Sequence, residues 1–225
     1  MTDVRQPNYA AVLFDCDGVL VDSESIATRA LHRSLINLGL EVTEEAVGER
    51  FTGHSFPTCV AMIEADIGGP IPAEFSADNA RYFDEVMRRE LNTMEGIEAA
   101  LDALHLPYAV VTNSRCAELA MKLDVVGLSD YFPVSRRFDA ETLGVAKPDP
   151  AIYQRAAESL GVDIRDCLVI EDSLPGLTAA CAAGAHVWAY RPAVDGVTLA
   201  RLAVNRNLAH WREFMVHFSG PVSVG

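Results

Sequence analysis

The sequence predicts an α/β protein in which a doubly wound parallel sheet carries an inserted, all-helical segment. Short apolar runs rich in β-branched and aromatic residues alternate with helical patterns, which is typical of a parallel sheet with crossover helices. More than ninety residues separate the first two of these runs, and most of that stretch has no strand pattern. One crossover helix needs far fewer residues, so the excess indicates an insertion.

Four apolar runs are predicted to be buried strands because they are short and end at polar or turn residues. They are Ala10–Phe14, Tyr108–Thr112, Cys167–Ile170 and His186–Tyr190. A weaker pattern predicts a fifth strand around Tyr131–Ser135. The sequence after about residue 193 has a weak helical pattern, and we assign it no role.

Capping residues indicate where the helices of the sheet domain begin and end. Ser114 is expected to cap a helix that runs to about Leu123. Asp149 and Pro150 provide an N-cap and a proline at the first helical position. Gly184 is expected to end the helix that precedes the last predicted strand.

The long stretch between the first two strands is predicted to be a helical cap at 22–92. Residues 1–21 and 93–225 then form the sheet domain. The predicted cap contains no lysine, since the two lysines of the chain both lie later in the sequence. Apolar residues at near-helical spacing and turn residues predict helices within the cap at Ser23–Leu38, Thr43–Arg50 and Ser76–Leu91.

Composition excludes several classes of protein. A net charge of -14 argues against nucleic acid or an anionic membrane as a partner. No run approaches the ~18 apolar residues of a membrane span, and residues 1–10 lack the apolar core of a signal peptide. The five cysteines form no C-x-x-C pair, which favours reduced thiols. We therefore expect a soluble, cytoplasmic monomer or small homo-oligomer.

Polar residues fall where several predicted strands end. Ligands of open α/β sheets bind beyond the carboxyl ends of the strands, so these residues are candidates for one common site. Any one of the clusters could be an ordinary turn or cap, but together they indicate a site. They are Asp15, Asp17 and Gly18; Thr112, Asn113 and Ser114; Glu171, Asp172 and Ser173; and Lys147, which precedes a helix entering the same region.

The chemistry that suits these groups is phosphoryl transfer, which needs mainly positioning and charge neutralisation. Asp15, Asp17 and Asp172 offer hard oxygen ligands for Mg²⁺. A carboxylate can also attack phosphorus, and Asp17 could exchange a proton with the leaving oxygen. The groups that could hold the phosphoryl oxygens are Gly18, Thr112, Asn113 and Lys147.

Four segments resemble the motifs of the haloacid dehalogenase superfamily. They are F-D-C-D-G-V-L-V-D-S (Phe14–Ser23), V-T-N-S (Val111–Ser114), K-P-D-P (Lys147–Pro150) and I-E-D-S-x-x-G (Ile170–Gly176). The resemblance covers roughly residues 9–190. It implies a Rossmann-like core with a helical cap inserted after the first motif.

The resemblance also implies a role for each motif residue. Asp15 would be the nucleophile and Asp17 the acid and base. Asp15 and Asp172 would hold Mg²⁺ together with the backbone carbonyl of Asp17. The remaining implied roles are phosphate contacts for Thr112 and Lys147, and a supporting carboxylate for Glu171.

Several other chemistries of the superfamily fit less well. Dehalogenases lack the second aspartate, which is present here as Asp17, and phosphonate-cleaving relatives use a cap lysine. The β-phosphoglucomutases carry a cap histidine, an arginine and a lysine; the first two positions are Ala27 and Phe56 here, although His32 or Arg50 could substitute. A phosphomutase therefore stays as the alternative, and a catalytically silent phosphate-binding module is a third possibility.

The resulting prediction is a Mg²⁺-dependent phosphatase for a small phosphorylated metabolite, either a sugar phosphate or a phosphorylated sugar acid. The first motif and the later R-F-x-G segment (Arg50–Gly53) are similar to those of bacterial 6-phosphogluconate phosphatases. Ser23, Glu24 and Arg50 are the candidate specificity residues of the cap.

Overall fold

A six-stranded parallel sheet in the order β3-β2-β1-β4-β5-β6 organises the fold. The computed structural model describes residues 9–52, 54, 56–192 and 194–218. The sheet is doubly wound, because the chain builds outward from β1 to β3 and then resumes on the other side of β1. The strands are β1 (Ala11–Phe14), β2 (Tyr108–Thr112), β3 (Arg137–Asp139), β4 (Cys167–Glu171), β5 (His186–Tyr190) and β6 (Arg206–Leu208).

The predicted fold class is confirmed, and so are the four strong strand predictions, with small shifts at two ends. The weaker fifth strand at Tyr131–Ser135 is wrong, because β3 begins only at Arg137. Phe132 instead packs edge-on against Phe14 and Tyr108, with ring centroids 6.4 and 5.4 Å away. The apolar pattern at Tyr131–Ser135 therefore comes from a loop whose aromatic side chain packs into the core, and not from a strand.

The sheet unit consists of the chain before residue 22 and after residue 92. Small and branched side chains on one face of the sheet pack against α8 and α9, with Leu13, Val169 and Leu177 in this core. On the other face, the rings of Phe14, Trp211 and Phe214 lie together. The helices of this unit are α5 (Ile97–Asp102), α6 (Cys116–Val125), α7 (Ala140–Leu143), α8 (Ala151–Ser159), α9 (Leu174–Ala183), α10 (Gly196–Leu202) and α11 (Trp211–Phe218).

Residues 22–92 form the second unit, the helical unit, which contains helices only within its described residues. Leu35, Phe51 and Ile63 are among the side chains of its separate apolar core. The helix at Phe56–Ile67 was not predicted, although the apolar residues of this segment recur at helical spacing. The four helices are α1 (Ser23–Asn37), α2 (Glu44–Phe51), α3 (Phe56–Ile67) and α4 (Glu74–Glu90).

One of the three helix-capping predictions in the sheet unit is confirmed, since Gly184 ends α9 in the left-handed conformation. The prediction for α8 is shifted by one residue: Pro150 occupies the N-cap position, and Asp149 Oδ1, one residue earlier, accepts a hydrogen bond from the N–H of Ala151. The prediction for Ser114 is wrong, because Arg115 occupies the N-cap position of α6. Across the part of the chain that the structure describes, no helix combines the length and apolar character needed to cross a membrane.

Candidate active site

The ends of β1 and β4 bring together the polar cluster that begins at Asp15 and the one that begins at Glu171. These two strands are neighbours at the point where the strand order of the sheet reverses. The N–H of Asp15 donates to the carbonyl of Ile170 at 3.0 Å, which ties the end of β1 to β4. Leu13 and Phe14 pair with Val169 and Ile170. Residues that follow these paired strands therefore emerge side by side, as the positions of the clusters in the sequence predict.

Asp15 and Lys147 form a buried ion pair at this edge. Lys147 Nζ donates to Asp15 Oδ1 and, at 2.6 Å, to Glu171 Oε1. Burial raises the pKa of Asp15 to about 7, and the charges of Glu171 and Asp17 add to the rise, while Lys147 opposes it. Burial also opposes the charge on Lys147, but the attraction of Asp15 and Glu171 outweighs it, so the pKa of Lys147 lies well above its ordinary value.

Glu171 is fully buried, and it holds this arrangement rather than facing open space. Its Oε2 accepts hydrogen bonds from the N–H of Asp172 at 2.9 Å and from the N–H and hydroxyl of Ser173, both at 3.0 Å. The hydroxyl of Tyr153 donates to its Oε1 at 2.9 Å. With Lys147, Glu171 therefore accepts five hydrogen bonds, which fixes the direction of its side chain.

Tyr153 is a site residue that the sequence analysis missed. It lies on α8, and its ring is completely buried among the apolar side chains of that helix. Its position in the apolar stripe of α8 indicates a core residue, and only the structure shows that its hydroxyl reaches Glu171. The K-P-D-P motif one turn earlier was the available signal that α8 approaches the site.

Asp17 forms a second ion pair with Lys122, in which the lysine is buried and the aspartate is partly exposed. Lys122 Nζ lies 2.7 and 2.8 Å from the two carboxylate oxygens of Asp17, and Ser114 Oγ donates to Asp17 Oδ2 at 3.1 Å. Burial opposes the charge on Lys122, but Asp17 and other neighbouring groups outweigh it and raise the pKa of Lys122. Lys122 is not among the predicted site residues, although its place between Leu119 and Leu123 on the buried face of α6 is an available signal.

The end of β2 contributes Thr112 and Asn113. Thr112 is buried, and its Oγ1 accepts a hydrogen bond from the N–H of Ser114 at 3.0 Å. The Asn113 side chain bonds the backbone of Lys147 twice, with Nδ2 donating to the carbonyl at 3.1 Å and Oδ1 accepting from the N–H at 2.8 Å. Asn113 thus fastens the segment that carries Lys147 to the end of β2.

A group of carboxylates at this edge could hold a metal ion. One oxygen from each of Asp15, Glu171 and Asp172 lies within 4.8 Å of the others. Gly18 has a positive φ of 74°, and a Cβ added there would lie only 2.0 Å from Asp172 Oδ2, so only glycine leaves room for this carboxylate. Clustered hard oxygen donors are the chemistry that Mg²⁺ prefers, so the residues present fit that ion.

The carboxylate of Asp17 lies outside this metal-competent group and contacts Lys122 instead. Binding of metal through the Asp17 backbone carbonyl stays a prediction. The two aspartates have different surroundings, since Asp15 faces the other carboxylates and Asp17 faces Ser114 and Lys122.

The three candidate specificity residues lie in the helical unit. Ser23 and Glu24 begin α1, where Ser23 is buried and Glu24 is exposed. Arg50, in the last turn of α2, forms an ion pair of 2.5 Å with Asp66, and both side chains are about half exposed. Gly53 of the R-F-x-G segment lies outside the described residues. The roles of these residues in specificity stay predictions.

Comparisons with known proteins agree with this geometry. Residues 9–184 match the family model of the haloacid dehalogenase-like hydrolases. The chain is 32% identical to the 6-phosphogluconate phosphatase of Escherichia coli K12 over 183 residues, which covers 79% of this chain and 80% of the relative. It is 30% identical to a phosphoglycolate phosphatase of Neisseria meningitidis serogroup A over 182 residues, 77% of each chain.

A solved structure extends the likeness to almost the whole chain. It is a hydrolase of the same family from Deinococcus radiodurans R1 with bound phosphate and sodium. It superposes with a TM-score of 0.85 at 31% identity, over 95% of this chain and 96% of that one. The chain therefore belongs to the haloacid dehalogenase-like hydrolases. Within that family it is a phosphatase.

Proposed function

We propose that this chain is a Mg²⁺-dependent phosphatase that hydrolyses a small phosphorylated metabolite through an aspartyl-phosphate on Asp15. The observation that carries the proposal is the buried ion pair of Asp15 with Lys147. Asp15 also belongs to the group of carboxylates that could hold a metal ion, and Asp17, two residues later, forms an ion pair with Lys122. A nucleophile, a proton carrier and a phosphate-neutralising cation are the parts that such a reaction needs.

In the first step, an oxygen of the Asp15 carboxylate attacks phosphorus, and the bond from phosphorus to the substrate oxygen breaks. Asp17, in its protonated form, gives its proton to that oxygen, which leaves as an alcohol. In the second step, the Asp17 carboxylate takes a proton from water as the water oxygen attacks phosphorus. The bond between Asp15 and phosphorus breaks, which releases phosphate and restores Asp15 as a carboxylate and Asp17 as an acid.

A cation and several hydrogen-bond donors of the site would stabilise the negative charge on the phosphoryl oxygens during both steps. Lys147 is the nearest cation to the nucleophile, and Thr112 lies at the end of the neighbouring strand. Because the Asn113 side chain is occupied by Lys147, its phosphate contact would come from its backbone N–H, as would that of Gly18. Mg²⁺ held by Asp15, Asp172 and the Asp17 carbonyl would screen the charge between nucleophile and phosphate.

The substrate class follows from the relatives and from the departures from the mutase pattern. Both named relatives are phosphatases of small phosphorylated acids, and the D. radiodurans structure holds phosphate. A sugar phosphate or phosphorylated sugar acid is therefore the proposed substrate, with 6-phosphogluconate as the first compound to assay. Isomerisation of a hexose 1-phosphate in the presence of a bisphosphate, with little release of phosphate, would instead establish the phosphomutase alternative.

Asp15→Asn tests the nucleophile. We expect phosphate release to fall by at least about a thousand-fold, because the amide cannot form the covalent intermediate. Asp124→Asn, which changes an exposed carboxylate on α6, is the matched control and should retain wild-type activity. Chelation of Mg²⁺ should also stop the wild-type reaction, and re-addition should restore it.

The intermediate can be detected separately in Asp17→Asn with p-nitrophenyl phosphate, because its phenolate leaves without a proton from Asp17 and the variant lacks the base of the second step. After an acid quench, intact-protein mass spectrometry should find the added mass of one phosphoryl group, located on the peptide that contains Asp15. Near wild-type turnover by Asp15→Asn, or a phosphoryl group attached elsewhere, would refute the proposed mechanism.

A further inference from the structure

A partly buried polar cluster surrounds the Asp17 carboxylate, and two of its members, Glu118 and Lys122 on α6, lie outside the four motifs. Lys122 Nζ contacts Asp17, Ser114 Oγ at 2.9 Å and Glu118 Oε1 at 2.6 Å. Ser114 Oγ lies 3.1 Å from Asp17 Oδ2 and 3.2 Å from Glu118 Oε1. The four side chains thus form a closed polar cluster in which the lysine is central.

The donors of Lys122 are fully used within this cluster. An ammonium group has three N–H donors, and the three partners Asp17, Ser114 and Glu118 account for them. The Lys122 side chain is only 2% exposed, whereas Asp17 and Glu118 are 35% and 37% exposed. To bind a substrate phosphate, Lys122 would have to give up the three partners that compensate its buried charge, which is costly.

The cluster restricts the rotation of the Asp17 side chain. Lys122 Nζ lies almost equally far from both carboxylate oxygens, and Ser114 supports one of them from a second direction. Glu118, one helical turn before Lys122, holds the lysine from the other side. Proton transfer depends steeply on the placement of the donor, so a fixed carboxylate has a direct kinetic value.

We propose that Lys122, anchored by Glu118 and Ser114, is a positioning residue that aims the Asp17 carboxylate at the leaving-group oxygen. This role rests on the proposed function, since it assumes that Asp17 protonates the leaving alcohol. It differs from the role of Lys147, which contacts the nucleophile and would neutralise phosphate. The two lysines of the chain are thus divided between the two catalytic aspartates.

The dependence of the rate on the leaving group tests this role. A sugar phosphate needs protonation of a poor leaving group, whereas p-nitrophenyl phosphate releases a stable phenolate without it. The ratio kcat/KM reports only steps up to the first irreversible one, here formation of the aspartyl-phosphate, so a slower second step does not obscure it. For Lys122→Met we expect kcat/KM to fall about 10- to 100-fold with the sugar phosphate and no more than about 3-fold with the aryl phosphate.

Inhibition by inorganic phosphate separates positioning from phosphate binding. In Lys122→Met the inhibition constant of inorganic phosphate should stay within about two-fold of the wild-type value, since Lys147 is intact. Arg165→Met is the matched control, because it removes an exposed cation that pairs with Asp163 far from these residues in the sequence. This control should change neither the inhibition constant of phosphate nor kcat/KM with either substrate.

A second variant guards against misfolding, because Lys122→Met alone leaves two carboxylates without their cation. Lys122→Met with Glu118→Gln removes one positive and one negative charge, and it should show the same selective loss with a folded circular dichroism spectrum. Equal losses with both substrates, no loss with either, or a phosphate inhibition constant that rises in parallel would each overturn the role of Lys122. If the wild-type protein hydrolyses neither substrate, the proposed function itself fails, and this role fails with it.

Discussion

At position 176 the side chain of Glu171 leaves room only for glycine. A Cβ added at Gly176 would lie 1.7 Å from Glu171 Oε1 and 2.0 Å from its Cδ, well inside contact distance. Because Glu171 directs Lys147, a side chain at position 176 would disturb the cation that pairs with Asp15. The glycine of the I-E-D-S-x-x-G motif therefore leaves the room that the Glu171 side chain occupies.

We expect Gly176→Ala to lower kcat by at least about ten-fold and to reduce the free energy of unfolding by about 1 to 3 kcal/mol, as overpacking of a dense site does. Gly196→Ala is a suitable control, because nothing lies within 4 Å of a Cβ added at the start of α10. Activity and urea unfolding of both variants provide the measurement. Equal stability and activity in the two variants would contradict this account of Gly176.

Much of the site could be predicted from the sequence because strand ends and helix starts concentrate its residues. Asp15, Glu171 and Lys147 were identified by their positions alone, and the structure brings them together. Lys122 and Tyr153 could not be found in the same way. Both lie inside helices, where the packing of a face determines which side chain reaches the site, and that packing depends on the whole sheet.

At the level of elements, the strong strand predictions succeeded because buried parallel strands are continuous apolar runs. Strands at the two edges of the sheet lack that pattern. β3 has an arginine and an aspartate on either side of Phe138, and β6 contains only one buried residue, Leu208. Their pairing with β2 and β5 defines them, and a pairing between distant segments is invisible to local periodicity.

The C-terminal helix α11 offers a test at this level through His217. Its ring meets the ring of Trp188 edge-on at 4.7 Å and also lies near Tyr9. Burial lowers the pKa of His217 from its ordinary value of 6.5, and the charge of Arg206 lowers it further. The folded protein therefore binds this proton less readily than the unfolded chain does.

Because the unfolded chain gains the proton first, stability should decrease as the pH falls below the ordinary histidine value. We expect the Tm of the wild-type protein to drop more between about pH 7.5 and about pH 5 than that of His217→Gln. His105→Gln, which changes an exposed histidine, should follow the wild-type curve. Parallel curves for wild type and His217→Gln would show that His217 does not contribute.

Considered as a whole, the molecule combines a strongly negative charge with a site proposed to receive an anion. Its net charge is -14, yet Lys147 is buried beside Asp15 at the end of the sheet. Over long distances the net charge should repel a phosphorylated metabolite, whereas the site attracts it only at short range.

Raising the ionic strength from about 10 mM to about 150 mM shortens the Debye length from about 30 Å to about 8 Å. At constant Mg²⁺, we expect this change to increase kcat/KM for an anionic substrate by a factor of about 2 to 5, because repulsion is screened more than the contacts within the site. A simple monovalent salt such as KCl should be used to set the ionic strength. A decrease in kcat/KM would show that the local positive field of the site controls the approach of substrate.

The placement of both lysines also makes this protein unusually simple to follow by covalent chemistry. Lys122 and Lys147 are the only lysines of the chain, and each ammonium is buried and ion-paired in the folded state. An amine-reactive reagent should therefore modify these two side chains only during openings of the site. The rate of acylation at each lysine, measured by peptide mass spectrometry, then reports how often the site opens, with Lys122 reporting on the surroundings of Asp17 and Lys147 on those of Asp15.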